Sequence, residues 1–213
     1  MDDGMPQRYT TVARRGTHET EVKGSRFICA LAPADTERAA QEFVREIRAL
    51  HPNATHNCAA YVIGADGRIQ RSDDDGEPGG TAGTPMLQML MRRGVRDVAA
   101  VVTRYFGGTL LGAGGLVRAY GGAVGKALDA VGTVTRERML LAEVEVDHQR
   151  AGRLENDLRA SGRPVRAVHY GARGVRIEVE LPSAEAGAFG TWLADTTAGA
   201  ATLRMAGTEY TAT

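Results

Sequence analysis

Two α+β domains in tandem are what this sequence predicts, and three observations carry the prediction. Apolar residues switch repeatedly between a helical period and strand alternation along the chain. The run Val98-Ala99-Ala100-Val101-Val102 shows no polar alternation and reads as a strand buried on both faces. After about residue 136 the rhythm changes to one-sided strands around two helices, in the order βαββαβ. The domains are therefore placed at 1–136, with a core at about 17–130, and at 137–213. The boundary is expected near 132–140, and no linker rich in Pro or Ser separates the halves.

In chain order, strands are expected from about Thr17 to Leu31, interrupted near Gly24. A helix follows, capped by Asp35 or Thr36, with Ala40, Phe43, Val44, Ile47 and Leu50 on one face and His51-Pro52 as its stop. Cys58–Ile63 and Arg68–Arg71 flank the turn signal Ala65-Asp66-Gly67. A polar, glycine-rich stretch runs from Asp73 to Gly83, before a short helix over Pro85–Arg92 and the buried strand at Val98. The loop Gly107–Gly115 leads to a second long helix with Leu116, Tyr120, Ala123, Ala127 and Val131 on one side. Gly121 and Gly125 within it each cost about 1 kcal/mol of helix propensity, which predicts close packing of another backbone.

In the second half, Leu140, Ala142, Val144 and Val146 alternate with Glu143 and Glu145 as a one-sided strand. A helix carries Ala151, Leu154 and Leu158, and two strands follow at Val165–His169 and Val175–Leu181. Ser183 is expected to cap a helix bearing Phe189, Trp192 and Leu193, and a last strand contains Leu203 and Met205. This order is the ferredoxin-like arrangement, two helices over an antiparallel sheet. It hosts many functions and implies none.

Composition narrows the classes. The chain has 213 residues, 43% of them hydrophobic, which supports real cores. No apolar stretch nears the roughly 20 residues that cross a bilayer, and Met1-Asp2-Asp3-Gly4 does not start a signal peptide. A cytoplasmic protein without a membrane partner is expected. Cys29 and Cys58 sit in apolar strand contexts and read as free buried thiols. With 26 basic and 26 acidic residues, no global field draws the chain to nucleic acid.

Three segments invite chemistry. Asp73-Asp74-Asp75-Gly76-Glu77 gathers four carboxylates that repel unless solvent, a cation or a basic surface compensates. The acids are contiguous and no glutamate stands twelfth, so the calcium-loop pattern is not met. A solvated acidic loop is favoured over a dedicated metal site, with Mg²⁺ beside a phosphate as the alternative. The second segment, Gly107 to Gly115, joins a buried strand to a helix and holds Gly107, Gly108, Gly112, Gly114 and Gly115. It fits either anion binding at a helix N-terminus or a tight turn with close helix packing. Neither the Walker A nor the Rossmann pattern is met. His56-Asn57-Cys58 lacks zinc spacing, and His56 reads as a partly buried structural histidine.

Together these segments resemble the YigZ/IMPACT family. The matching stretches are Thr55–Tyr61, Asp74–Pro78 with Gly80–Gly83, Val101–Gly108 and Leu111–Gly121. The resemblance implies a first domain like domain 2 of ribosomal protein S5 and a second like domains III and V of elongation factor G. It also implies a link to translation, since eukaryotic relatives regulate initiation by competing for a partner of a stress kinase. Bacterial members have been suggested to bind nucleic acid. The chain departs at Asp73, where the family has serine, and at Thr84, where a lysine offers a phosphate contact.

The function expected is a binding module for RNA or a ribosomal or translation-factor surface. Arg104, Arg118 and the glycine-rich loop would make the contacts, with Tyr105 or Phe106 stacking on a base. One alternative is an enzyme on a phosphorylated small molecule, with Asp74, Asp75 and Glu77 around Mg²⁺ and Gly112–Gly115 cradling phosphate. The other is a protein-interaction adaptor. No resident cofactor or metal is called for. His56, Asp74, Asp75, Glu77, Arg104 and the glycine loop are expected on one exposed, mixed-charge face, with Arg104 paired to Asp75 or Glu77.

Overall fold

The computed structural model describes residues 4–212. The chain divides into two compact units, Met1–Arg136 and Glu137–Thr213.

In the first unit, β2 (Gly16–Val22), β3 (Ser25–Pro33), β4 (His56–Ile63), β5 (Ile69–Asp73) and β6 (Val98–Tyr105) form an antiparallel sheet in the order β2-β3-β6-β4-β5. Alternation along each strand sends successive side chains to opposite faces. Phe27, Cys29, Leu31, Cys58, Ala60 and Val102 join a core with α2 (Gly83–Arg92) and α3 (Ala113–Val131). Ala30, Ala59, Tyr61, Ala99 and Val101 pack on the other face against Phe43, Val44 and Ile47 of α1 (Glu37–Leu50). The central strand β6 is thus covered on both sides, which is why it tolerates no polar residue from Val98 to Val102.

Several boundaries move from their expected places. The caps of α1 are as read: the Thr36 hydroxyl accepts from Ala39 N, and the helix stops at His51. A further strand, β1 (Arg8–Val12), precedes the expected first one. Its anchors are remote: Tyr9 donates to Asp97, and Arg96 N donates to Thr10 O. Helix α2 starts at Gly83, two residues early, and α3 starts at Ala113, so Gly114 and Gly115 lie in its first turn rather than in a loop. Gly121 faces the Pro85 backbone of α2 as expected, while Gly125 faces the Met89 side chain instead.

In the second unit, β7 (Thr133–Val146) contributes its length from Glu137 onward, beside β8 (Val165–Tyr170), β9 (Val175–Pro182) and β10 (Thr202–Ala212). The order β10-β7-β9-β8 with α4 (His148–Ala160) and α5 (Ala186–Thr197) is the ferredoxin-like arrangement. The first unit has the fold of domain 2 of ribosomal protein S5. Leu140, Val144, Ile177 and Leu181 meet Leu154, Leu158 and Phe189 in a separate core. Ser183 does not cap α5: a 3₁₀ turn, Ser183–Glu185, precedes the helix, and no side chain caps it.

Phe27 is fully buried, edge-on to Tyr120 at 5.2 Å. Phe27→Ala should lower unfolding free energy by about 3–5 kcal/mol, read from urea titration by circular dichroism. A loss below about 1 kcal/mol would mean that the sheet does not close on α3 in this way.

Candidate functional site

Both β5 and β6 run antiparallel to β4, so the ends of β5 and β6 and the start of β4 share one edge of the sheet. The acidic loop leaves β5 there, the glycine stretch leaves β6, and His56 stands directly opposite Arg104. Beneath this edge is a buried polar knot. Glu77 Oε1 accepts from Arg104 Nη1 at 2.7 Å and from the Tyr120 hydroxyl at 2.6 Å. Arg104 Nη2 reaches Ser25 Oγ at 3.4 Å, and its guanidinium lies over the rings of Phe27 and Phe106. Both ions are nearly inaccessible, Arg104 at 5% and Glu77 at 7% exposure. A charge so placed is tolerable only because its partner is buried with it.

The knot extends through β4. His56 Nδ1 bonds Asp75 O at 2.8 Å, and its Nε2 stands 3.9 Å from Glu77. The Cys58 thiol donates to Asp74 O at 3.0 Å. Burial pushes that thiol up to about 12, against the pull of the Tyr120 hydroxyl and with help from the carboxylates of Glu77, Asp75 and Asp74. Tyr120 is raised for the same first reason, burial, reinforced by Cys58 and Glu77. Neither group offers an anionic nucleophile near neutrality. Cys29 and Cys58 are both free thiols.

The acidic loop is built by its own carboxylates. Asp74 accepts from the amides of Gly80, Ala82 and Gly83 at 2.7, 3.0 and 2.8 Å, and so closes the N-terminus of α2. Burial pushes its carboxyl up, but those three amides outweigh it and hold the group below the usual range. Asp75 accepts from Asn57 N at 2.6 Å and from Arg48 Nη2 at 3.2 Å. Asp73 accepts from the Asp75 amide and from Arg48, which hold it below the usual range. Each acid thus has protein donors of its own. Among the described residues, no three His, Cys, Asp or Glu side chains gather as metal ligands do. A Mg²⁺ ion here would have to share carboxylates that already accept these bonds.

The glycine stretch forms a different surface. A Cβ on Gly107 would lie 2.0 Å from the Gly24 backbone, and Gly107 N donates to Ser25 Oγ at 3.1 Å. That glycine is required by contact between two backbones. Gly108 and Gly112 adopt φ of 84° and 70°, the left-handed region, in open surroundings, and Gly112 opens α3. Arg118 is exposed and, with Gly115, Leu111, Val22 and Lys23, rims a hollow of about 180 Å³. Phe106 and Leu110 are exposed nearby in the chain, Leu110 at 84%.

The expected residues therefore do not share one exposed face. His56, Asp74, Asp75, Glu77 and Arg104 gather in and around the buried knot. Gly107, Gly108, Gly112, Gly114, Gly115 and Arg118 lie on the outward side of Ser25, which bonds both Arg104 and Gly107. Arg104, expected to touch RNA, is enclosed by Phe27, Phe106 and Glu77 instead. Tyr105 points to the other face of the sheet, where its hydroxyl meets His51 Nδ1 at 2.9 Å under Arg26. Sequence reasoning missed Ser25 and Arg48, and took Tyr120 as plain core. Its one legible signal was a phenol on an apolar helix face, which needs a buried partner.

Residues 23–128 match the model of the Impact N-terminal domain, and residues 144–200 match that of a domain of unknown function, DUF1949. The chain is 45% identical over 206 residues to "IMPACT family member YvyE" of Bacillus subtilis (strain 168), spanning 97% of this chain and 94% of that one. It is 43% identical over 177 residues to "IMPACT family member YigZ" of Escherichia coli (strain K12), at 82% and 86% coverage. A solved structure titled "Crystal structure of an hypothetical protein" superposes with a TM-score of 0.66 at 40% identity, covering 93% of this chain and 97% of the other.

Two outcomes follow from the knot and the loop. Glu77→Ala should cost about 3–5 kcal/mol in urea unfolding by stranding Arg104, whereas Glu77→Leu combined with Arg104→Met should recover most of that loss. A double variant as unstable as the single one would show that the pair itself is not what is missed. Asp74→Ala should cost about 1–2 kcal/mol at neutral pH. Because folding depresses this carboxyl, its stabilisation is complete above its ordinary value of 3.8 and fades as pH falls through the lower folded value. The gap between wild type and Asp74→Ala should therefore close in strong acid, and a gap independent of pH would count against the capping role.

Proposed function

The chain belongs to the IMPACT family, and from that membership we propose a translation-associated regulatory protein that binds RNA, on its own or at a ribosomal surface, through the glycine-rich face of the first unit. The observation that carries the reading is the half-exposed Phe106 ring at the start of a loop packed against the Lys23-Gly24 turn, with Arg118 on the adjoining helix. An aromatic face beside separated cations suits unpaired bases and their phosphates. The expected role of Arg104 passes to Arg118 and Lys23, because a buried ion pair cannot reach a ligand without breaking. The balance of 26 acids and 26 bases confines attraction to this local patch. Enzymatic use of the acidic loop has less support, since protein donors already hold its carboxylates. The family's tie to translation, implied by the sequence resemblance, supplies the setting, and a cytoplasmic location goes with it. Among the described residues, no helix is long and apolar enough to cross a membrane.

Fluorescence anisotropy with a single-stranded RNA oligonucleotide, and co-sedimentation with ribosomes, test the reading. Phe106→Ala should weaken binding by about 1–3 kcal/mol at every salt concentration, as loss of one stacked base does. Arg118→Ala should weaken it mainly at low salt and reduce the slope of log K against log salt by about 1. Isotherms unchanged by both substitutions would sink the proposal.

A further inference from the structure

Away from the glycine-rich face, a second cavity lies between α1 and the edge strand β5. Its volume is about 350 Å³, within the range of small-ligand pockets. Val44 and Tyr61 supply apolar wall, and Arg45, Arg48 and Arg71 supply three guanidinium groups. Asp73 is the one carboxylate in the wall among the described residues, and its two oxygens are taken by the Asp75 amide and Arg48.

The arginines are not used up by their neighbours. Arg48 makes its bonds to Asn57 O, Asp73 and Asp75 through Nη2, leaving Nη1 unengaged among the described residues. Arg71 gives Nη1 to the Gln70 carbonyl and holds Nε 3.4 Å from Glu37, whose carboxylate also accepts from the Tyr61 hydroxyl. Arg45 is exposed and has no ion pair among the described residues. Two further acids, Glu37 and Asp75, stand near the cavity but outside its wall, and both are engaged. The wall thus has more cations than anions, with spare donors in the planar fork that suits oxyanions.

We infer that this cavity is a binding site for a small, multiply charged oxyanion, held between Arg45, Arg48 and Arg71. Phosphoryl and carboxylate groups share that chemistry. The inference does not depend on RNA binding, because the cavity shares no residue with the glycine-rich face.

Isothermal titration of the full chain with inorganic pyrophosphate, and separately with citrate, tests it. The variants are Arg45→Ala and Arg71→Ala, with Arg92→Ala, an exposed arginine outside the cavity, as the control. Saturable binding of either probe is expected, weakened at least about tenfold by each cavity substitution and unchanged by Arg92→Ala. Binding of pyrophosphate alone assigns the site to phosphoryl ligands, and binding of citrate alone assigns it to carboxylates. A flat titration with both probes overturns the inference. So does a wild-type affinity in Arg45→Ala and Arg71→Ala, or an equal loss in Arg92→Ala.

Discussion

The ion pair between Glu77 and Arg104 is the constraint on which the first unit's arrangement depends. Glu77 comes from a loop, Arg104 from the central strand and Tyr120 from the longest helix, and all three meet at one carboxylate oxygen. Burying two charges is unfavourable unless the geometry satisfies both, so the pair dictates how the loop must lie. The loop can lie that way because Asp74 has drawn the chain around the start of α2, and because Asp75 and Gly76 both take positive φ. A cluster that looks in isolation like an anionic hazard is, in place, a set of separately directed acceptors.

The same pair separates scaffold from surface. Inside it lie the groups with the most reactive names: a thiol, a histidine, a phenol and a carboxylate. Burial holds the thiol and the phenol in their neutral forms. Outside it, beyond Ser25, two glycines let the chain turn where a side chain would strain it, and a third lets two backbones touch. Phe106 spans the boundary, its ring under the Arg104 guanidinium while the residue is about half exposed. The position of the loop is in this way coupled to the core beneath it, against which its Leu111 packs.

Much of the frame was legible in the residues. The apolar period of α1 and its Thr36 cap, the two-sided burial of β6 and the alternation of β9 are all local patterns, and the structure contains each of them. Family motifs were legible too, and electrostatics pointed to Arg104 pairing with Asp75 or Glu77, of which the structure has the second. Two of the misjudged boundaries have a cause that no local pattern contains: strand β1 is held by partners far along the chain, and the early start of α2 by the Asp74 carboxylate closing on amides.

By itself, then, the sequence determined which segments are helix or strand, where the rhythm changes from one domain to the next, and which charged and glycine-rich stretches set the chain apart. Only the tertiary structure decided what those stretches do. Whether Arg104 meets water or Glu77, and whether three arginines 26 residues apart along the chain, from Arg45 to Arg71, border one cavity, depends on how strands are ordered within the sheet. Strand order is settled by the joint burial of many side chains from distant segments. No local window contains that sum, so exposure of a charged residue, unlike its secondary structure, cannot be read from its neighbours in sequence.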